Sequence, residues 1–280
     1  MRLATVRTRT GGTRAVRVEG DALIDLGYED VGALLASPDW PAAARADGPA
    51  VPAADRAPFA PLVPRPGKIV CVGLNYRTHI LELGRDLPAY PTLFSKYADT
   101  LVGAEDDIRL PPETTALDWE CELAVVVGAP VRRATPAEAE AAIAGFAVLN
   151  DVTARDWQFR TREWLQGKNW EATTPLGPYL VTPDELPGGV RPDLEISTVL
   201  DGETVQHART SDLLFDPVAL VEYASTMITL WPGDVIATGT PGGVGHARTP
   251  PRYLKAGQRL VTEVAGLGRC VNLIVADPGR

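Results

Sequence analysis

Between Cys121 and Val127 every residue except Glu122 is apolar and valine dominates, which predicts a buried strand closed by Gly128. Phe146-Ala147-Val148-Leu149-Asn150-Asp151 predicts a second apolar strand that ends in a carboxylate, and Lys68 to Gly73 a third. Near the N-terminus, Arg2 to Arg7, Thr13 to Val18 and Ala22 to Leu26 are short alternating runs separated by Gly11-Gly12 and Gly20-Asp21, a small β meander. A short helix is expected near Val31 to Ala36. Thr135-Pro136-Ala137-Glu138 is a capping box with proline at the first helical position, so a helix is predicted from Pro136 to Ala144, stopped by Gly145. Asp216-Pro217 caps another that runs to about Leu230, with Val218, Val221, Ala224 and Ile228 on one side. Pro38 to Pro66 carries eight prolines and few apolar anchors, and reads as a surface connector. It divides a small N-terminal β domain with its connector, residues 1–66, from a large domain, residues 67–280. No internal repeat is visible.

Composition narrows the classes of function. The 280 residues suffice for one large domain and a small appendage, and the formal net charge of −9 argues against a nucleic-acid or anionic-membrane surface. No stretch approaches the roughly 20 apolar residues of a membrane span, and the alternating Thr, Val and Arg after Met1 contain no apolar signal core. The expectation is a cytoplasmic protein. Cys71, Cys121 and Cys270 are scattered in apolar surroundings without C-x-x-C spacing, and read as buried free thiols.

The chemistry gathers at the head of the central strand. Residues i and i+2 of a strand share a face, about 6 to 7 Å apart, so Glu120 and Glu122 point the same way. A bare Glu-x-Glu also suits the solvent side of an edge strand. A third acid, Asp151, at the end of a second apolar strand shifts the balance towards a hard divalent metal, because like charges on a buried face repel unless a cation sits between them. Three monodentate carboxylates suit Mg²⁺ or Mn²⁺ and leave about three of six octahedral positions open for chemistry.

His79 and Glu82 are neighbours on one helical turn, where a carboxylate orients an imidazole for general-base work; a solvated surface pair has the same spacing. With three histidines in the chain, an imidazole base must be His79, His207 or His246. Lys168 follows a glycine amid aromatics, and is either an ammonium aimed at a substrate carboxylate or a snorkelling surface lysine. The glycine-rich run from Val235 to Gly245 lacks a P-loop's Gly-Lys-Ser/Thr and a third Rossmann glycine, so a nucleotide site is not expected. Its glycines let backbone amides and the Thr240 hydroxyl approach a small anion.

Taken together, Lys68 to Tyr76, Asp118 to Val127, Asn150 to Gln158, Gly167-Lys168 with Pro175-Leu176-Gly177-Pro178, and Pro232-Gly233-Asp234 through Gly245 resemble the fumarylacetoacetate hydrolase family, over roughly Lys68 to Ile274. The resemblance implies a mainly β (α+β) fold, a mixed β-sandwich roll with a few helices, and a homodimer. It implies Mg²⁺ or Mn²⁺ at Glu120, Glu122 and Asp151, and a small 2-oxo or β-diketo acid that chelates it through carboxylate and keto oxygens. His79 and Glu82 match the family's water-activating dyad, with Lys168 catalytic beside them. Gln158, Thr240, Arg155 and Tyr76 match substrate-contacting positions, and Arg77, Arg85 and Arg160 are candidates to read the substrate's far end. Chain size points to the smaller bacterial type. The implied activity is hydrolysis of a carbon–carbon bond in acylpyruvate-like acids, with an isomerase or decarboxylase of ring-cleavage dioic acids, or an oxaloacetate decarboxylase, as the alternative. Either would place the protein in aromatic-acid catabolism or a related pathway.

Overall fold

The structure, a computed structural model, describes residues 1–9, 11–52, 58–82 and 84–278, with Glu82 described through its backbone alone. The fold is mainly β with a few short helices. At its centre the Cys121–Val127 strand lies antiparallel to both Ile143–Asn150 and Val235–Ala237. Val235–Ala237 pairs in parallel with Ile69–Gly73, which in turn pairs antiparallel with Thr92–Lys96. On the other side Ile143–Asn150 pairs with Thr174–Val181, and that strand takes up Arg2–Arg7. The N-terminal meander therefore continues this ten-stranded sheet, with Arg2 opposite Val181 and Leu3 opposite Leu180. A second, five-stranded sheet contains Glu195–Leu200 and Arg259–Val264.

Both faces of the central strand are covered, which accounts for its nearly unbroken apolar run. Cys121, Leu123, Val125 and Val127 pack with Ile196 and Val264 of the second sheet and with Val218, Leu220 and Val221 of the Pro217–Met227 helix. Ala124 and Val126 face the other way, into a cluster with Val31, Leu34, Leu35, Leu62 and Val63 from the N-terminal segment. The even-numbered face thus carries Glu120 and Glu122, and Asp151 continues the alternation of Ala147 and Leu149, which lie in that same cluster.

Three local expectations change. The capping box at Thr135 forms, but its helix ends at Ala141, and Ile143 already pairs with Val127. Gly145 lies inside the following strand and not at a helix stop: a Cβ there would stand 2.3 Å from the Val181 carbonyl oxygen, so the position demands glycine for close strand approach. The Asp216-capped helix closes at Met227, three residues short of Leu230, whose backbone bridges to Val131 instead. The proline-rich connector is more than a surface wrap, since Ala44, Val51, Ala60, Leu62 and Val63 are buried and Trp40–Ala43 forms a short helix. Prolines exclude long regular elements but not burial. Residues 53–57 of that connector lie outside the described residues. All three cysteines are buried and free, as their apolar surroundings indicate.

Candidate active site

The sheet delivers its chemistry to one edge. Because the central strand runs antiparallel to both neighbours, its first residues meet the last residues of Ile143–Asn150 and Val235–Ala237. The Asp151 N–H donates to the Glu120 carbonyl at 2.8 Å, placing the two side chains together. Beyond Ala237 the chain keeps following the central strand: Thr238 N–H donates to the Leu123 carbonyl at 3.0 Å and Gly239 N–H to the Glu122 carboxylate at 2.7 Å. The Thr240 hydroxyl donates to the Cys121 carbonyl at 3.0 Å and accepts from Gln206 Nε2 at 2.9 Å. Gly239 has φ 101°, a left-handed conformation that lets its amide turn onto the carboxylate.

Glu120, Glu122 and Asp151 are all buried, and each offers an oxygen within 4.8 Å of the others. Hard oxygen donors in this number and spacing fit a divalent cation. Their charge is balanced by buried cations. Lys168 Nζ stands 2.9 Å from Glu120 and 2.7 Å from Asp151, and Lys96 Nζ 2.8 Å from the other Asp151 oxygen. Lys96 also donates to the Val152 carbonyl at 3.1 Å and to the Lys168 carbonyl. Arg155 completes the set, 2.6 Å from Glu120 and 2.8 Å from Asp118.

These contacts set the ionisation of the cluster. Burial pushes the Glu122 carboxyl well above the ordinary range, and the neighbouring Asp151 and Glu120 charges push it further. Burial acts the same way on Asp151, but the Lys168 and Lys96 ammonium groups override it and hold that carboxyl below its usual range. For Lys168, burial favours the neutral amine, yet Asp151 and Glu120 outweigh it and keep the ammonium charged. Arg155 is likewise raised, its desolvation overcome by Glu120 and Asp118.

Glu120 opens the cluster to a cavity of about 410 Å³ whose lining also includes Lys168, Arg155, Gln158, Thr240 and His79; Glu122 and Asp151 lie behind it. Trp164 closes one side by packing against Gly73, where a Cβ would meet its ring at 2.3 Å. Gln158 Oε1 accepts from Arg155 at 2.9 Å, so its amide NH₂ remains to meet a ligand. Half-buried His79, on the Arg77–Glu82 helix, lines the same cavity; the Glu82 side chain of the expected dyad lies outside the described residues.

Other sequence candidates go elsewhere. Tyr76 is fully buried in the main apolar cluster, absent from the cavity lining, and its hydroxyl has no hydrogen-bond partner among the described residues. Its position after the Ile69–Gly73 strand turns the ring inward, into the apolar cluster. Arg77 donates to the Leu214 carbonyl at 3.2 Å, and Arg160 lies 3.4 Å over the Trp157 ring. Of the three arginines considered for the far end, Arg85 alone lines the cavity. Lys168 is buried and not a surface lysine. Two contributors have no role assigned from the sequence, Lys96 and Asp118, while His246, one of the three candidate imidazoles, lines the cavity with His79. A lysine closing the Thr92–Lys96 strand and an aspartate two residues before Glu120 were the available signals.

Residues 68–275 match the family described as fumarylacetoacetate (FAA) hydrolase C-terminal, close to three quarters of the chain. The chain belongs to the fumarylacetoacetate hydrolase family. Relatives in this family differ in the reaction named for them. The chain is 43% identical over 214 residues to the mitochondrial oxaloacetate tautomerase Fahd2a of Rattus norvegicus, covering 76% of this chain and 68% of that protein. Among solved structures it is similar to the fumarylacetoacetate hydrolase of Exiguobacterium antarcticum, with TM-score 0.85, 30% identity and 99% coverage of both chains. It is equally similar in sequence, at 30% identity, to the 5-carboxymethyl-2-hydroxymuconate delta-isomerase of Mycobacterium smegmatis, with TM-score 0.81 over 99% of this chain and 100% of that one. Like these members of the family, the protein is an enzyme. No described helix is long and apolar enough to cross a membrane.

Proposed function

We propose that the protein catalyses divalent-metal-dependent proton transfer next to the keto group of a small 2-oxo acid, as a tautomerase or isomerase, with Glu120, Glu122 and Asp151 holding Mg²⁺ or Mn²⁺. The observation that carries this reading is the Lys168 ammonium lodged between Glu120 and Asp151 on the cavity floor. Three buried carboxylates, two of them paired with the same lysine, form a site ready to exchange part of that lysine's pairing for a dication. A dication held there supplies a Lewis acid that favours negative charge on the substrate's keto oxygen. The chain supplies the rest. Lys168, kept charged, donates to the same developing oxyanion or to the substrate carboxylate, and the Gln158 amide orients that carboxylate. His79, one of two imidazoles lining the cavity, takes a proton from the carbon beside the keto group and delivers it to the enolate oxygen in a tautomerase, or to a carbon further along the conjugated chain in an isomerase. The names of a tautomerase and an isomerase among the relatives support this order of preference.

The second reading is hydrolysis of an acylpyruvate, in which His79 takes a proton from water and the attacking oxygen adds to the distal carbonyl. His79 in the cavity wall is what favours it. A homodimer belongs to the same proposal, supported by exposed Met227, Ile228 and Trp231 at one end of the Pro217–Met227 helix.

Proton NMR of the protein with Mg²⁺ and, in separate tubes, oxaloacetate, a 2-hydroxy-dienedioate and acetylpyruvate discriminates the readings. The expected outcome is accelerated keto–enol exchange of oxaloacetate or double-bond migration in the dienedioate, abolished by EDTA and by Glu122→Ala. Acetate plus pyruvate from acetylpyruvate would move the assignment to hydrolase. Turnover that survives both chelation and Glu122→Ala would sink the metal site.

A further inference from the structure

The cavity has two ends of different character. Its floor is buried and charged, whereas its rim is formed by exposed side chains, among them Arg85, Phe159 and His246. A 2-oxo acid uses its carboxylate and keto oxygen at the floor, which leaves the rim to read the rest of the molecule. His246 is fixed there more firmly than a solvent-exposed histidine requires. Its backbone N–H donates to Asp118 Oδ2 at 2.9 Å, beside the Gly245 N–H that donates to Asp118 Oδ1 at 2.7 Å. A Cβ at Gly245 would stand 1.9 Å from the Arg252 carbonyl oxygen, so the turn that presents His246 is closely packed. The ring lies 5.0 Å from the Phe159 ring, and its Nδ1 is 2.9 Å from the Tyr253 hydroxyl.

Tyr253 is not part of the cavity wall, so Nδ1 is engaged on the side away from the ligand space and Nε2 is the polar atom left to it. Burial, with the Arg155 charge, lowers the His246 pKa below that of an ordinary imidazole and keeps the ring neutral. Burial and the Asp118 charge raise that of Tyr253, so the phenol keeps its proton. With the phenol assigned as donor to Nδ1, the neutral ring carries its own proton on Nε2 and is a donor to whatever fills the rim. Asp118 meanwhile joins this donor to the floor, since the same carboxylate accepts from Arg155, which contacts Glu120.

Resting on the proposed 2-oxo acid activity, we propose that His246 is the specificity-determining residue for the far end of the substrate: with Arg85 it takes a second carboxylate, so that the site selects 2-oxo dioic acids over monoacids of equal length. The charge on the floor supports this. Asp118, Glu120, Glu122 and Asp151 face Lys96, Lys168 and Arg155. With a dication these groups leave a single positive charge, which the first carboxylate neutralises. A second carboxylate therefore needs its own cation and donor, and Arg85 and His246 are placed to be them.

The test measures binding, so it reads out whether or not turnover is found. Isothermal titration of the Mg²⁺-loaded protein compares 2-oxoadipate with 2-oxohexanoate, equal in length and different only in the terminal carboxylate, and uses oxalate as a ligand that fills the floor alone. The wild type is expected to prefer the diacid by about tenfold or more, the scale of a hydrogen bond to a charged group. His246→Leu is expected to remove most of that preference while leaving 2-oxohexanoate and oxalate within about twofold, and His246→Gln, which keeps an N–H donor, to restore part of it. A wild type that binds the two six-carbon acids equally overturns the proposal. So does a His246→Leu variant in which all three ligands weaken together, the signature of a structural role. Loss of oxalate binding by the wild type itself would instead count against the metal-dependent 2-oxo acid site.

Discussion

Glu122 carries the sharpest conflict in the molecule. It is enclosed beside Glu120 and Asp151, accepts a hydrogen bond from Gly239 N–H, and has its proton affinity raised by burial and by both acids. The sign of the linkage follows from that direction. A carboxyl whose folded pKa lies above its unfolded one binds more protons folded than unfolded, so its contribution stabilises the fold at low pH and is lost as pH rises through the raised value. A dication reverses this by favouring the ionised form. In EDTA, stability is therefore expected to fall as pH climbs above the ordinary carboxylate range towards the raised Glu122 value. The gain in melting temperature on adding Mg²⁺ should grow across the same window, with affinity rising by up to about tenfold per pH unit while a proton is displaced. Thermal melts with and without Mg²⁺ from pH 5 upwards check it. A Mg²⁺ gain independent of pH would show that Glu122 is already ionised without metal.

Between elements, the decisive contacts are made by very short pieces of helix. Lys168 ends the Leu165–Lys168 helix and Gln158 ends Arg155–Gln158, and the two are pressed together at Gly167, where a Cβ would lie 2.5 Å from the Gln158 Cα. Backbone, and not a flexible side-chain tip, occupies that space. Gly167→Ala is expected to destabilise the protein by about 1 to 3 kcal/mol. It should also lower kcat by more than about tenfold, because the helix that aims the Lys168 ammonium must shift. Thermal denaturation together with kinetics on oxaloacetate measures both effects; unchanged kcat in a destabilised variant would separate Lys168 placement from this contact. The Gly167-Lys168 pair was legible as a motif in the sequence. That Gly167 exists to let Gln158 approach was not, because the two belong to different helices.

On the scale of the whole molecule, the N-terminal strands and the catalytic sheet form one hydrogen-bonded surface. Arg2 and Leu3 pair with Val181 and Leu180, Arg7 forms a two-pronged contact with Asp106 at 2.9 and 2.5 Å, and Leu62 N–H donates to the Leu176 carbonyl at 3.0 Å. A fragment beginning at Gly67 would uncover the edge of Thr174–Val181 and the apolar face that Leu34, Leu62 and Val63 cover. Such a fragment is expected to aggregate, seen as early elution in size-exclusion chromatography and no cooperative melt by circular dichroism. A soluble fragment with a sharp melt would establish residues 67–280 as a self-standing domain.

Features that depend on near neighbours could be read from the residues alone. Two-residue alternation placed Glu120 and Glu122 on one face, the apolar run ending at Asp151 brought a third carboxylate to the same edge, and Thr135 with Glu138 fixed a helix start. Strand period and capping geometry are local, so they can be read without the fold. Which cations meet those carboxylates was set by the folded arrangement. Lys96 reaches Asp151 across 55 positions, Lys168 reaches Glu120 across 48, and Asp118 meets His246 across 128. The same holds for the outcome at Tyr76, enclosed in the core, and for Arg85, which reaches the cavity where Arg77 and Arg160 do not. Pairings at such separations arise from sheet order and from which faces the covering layers bury, and neither is written in the residues next to them.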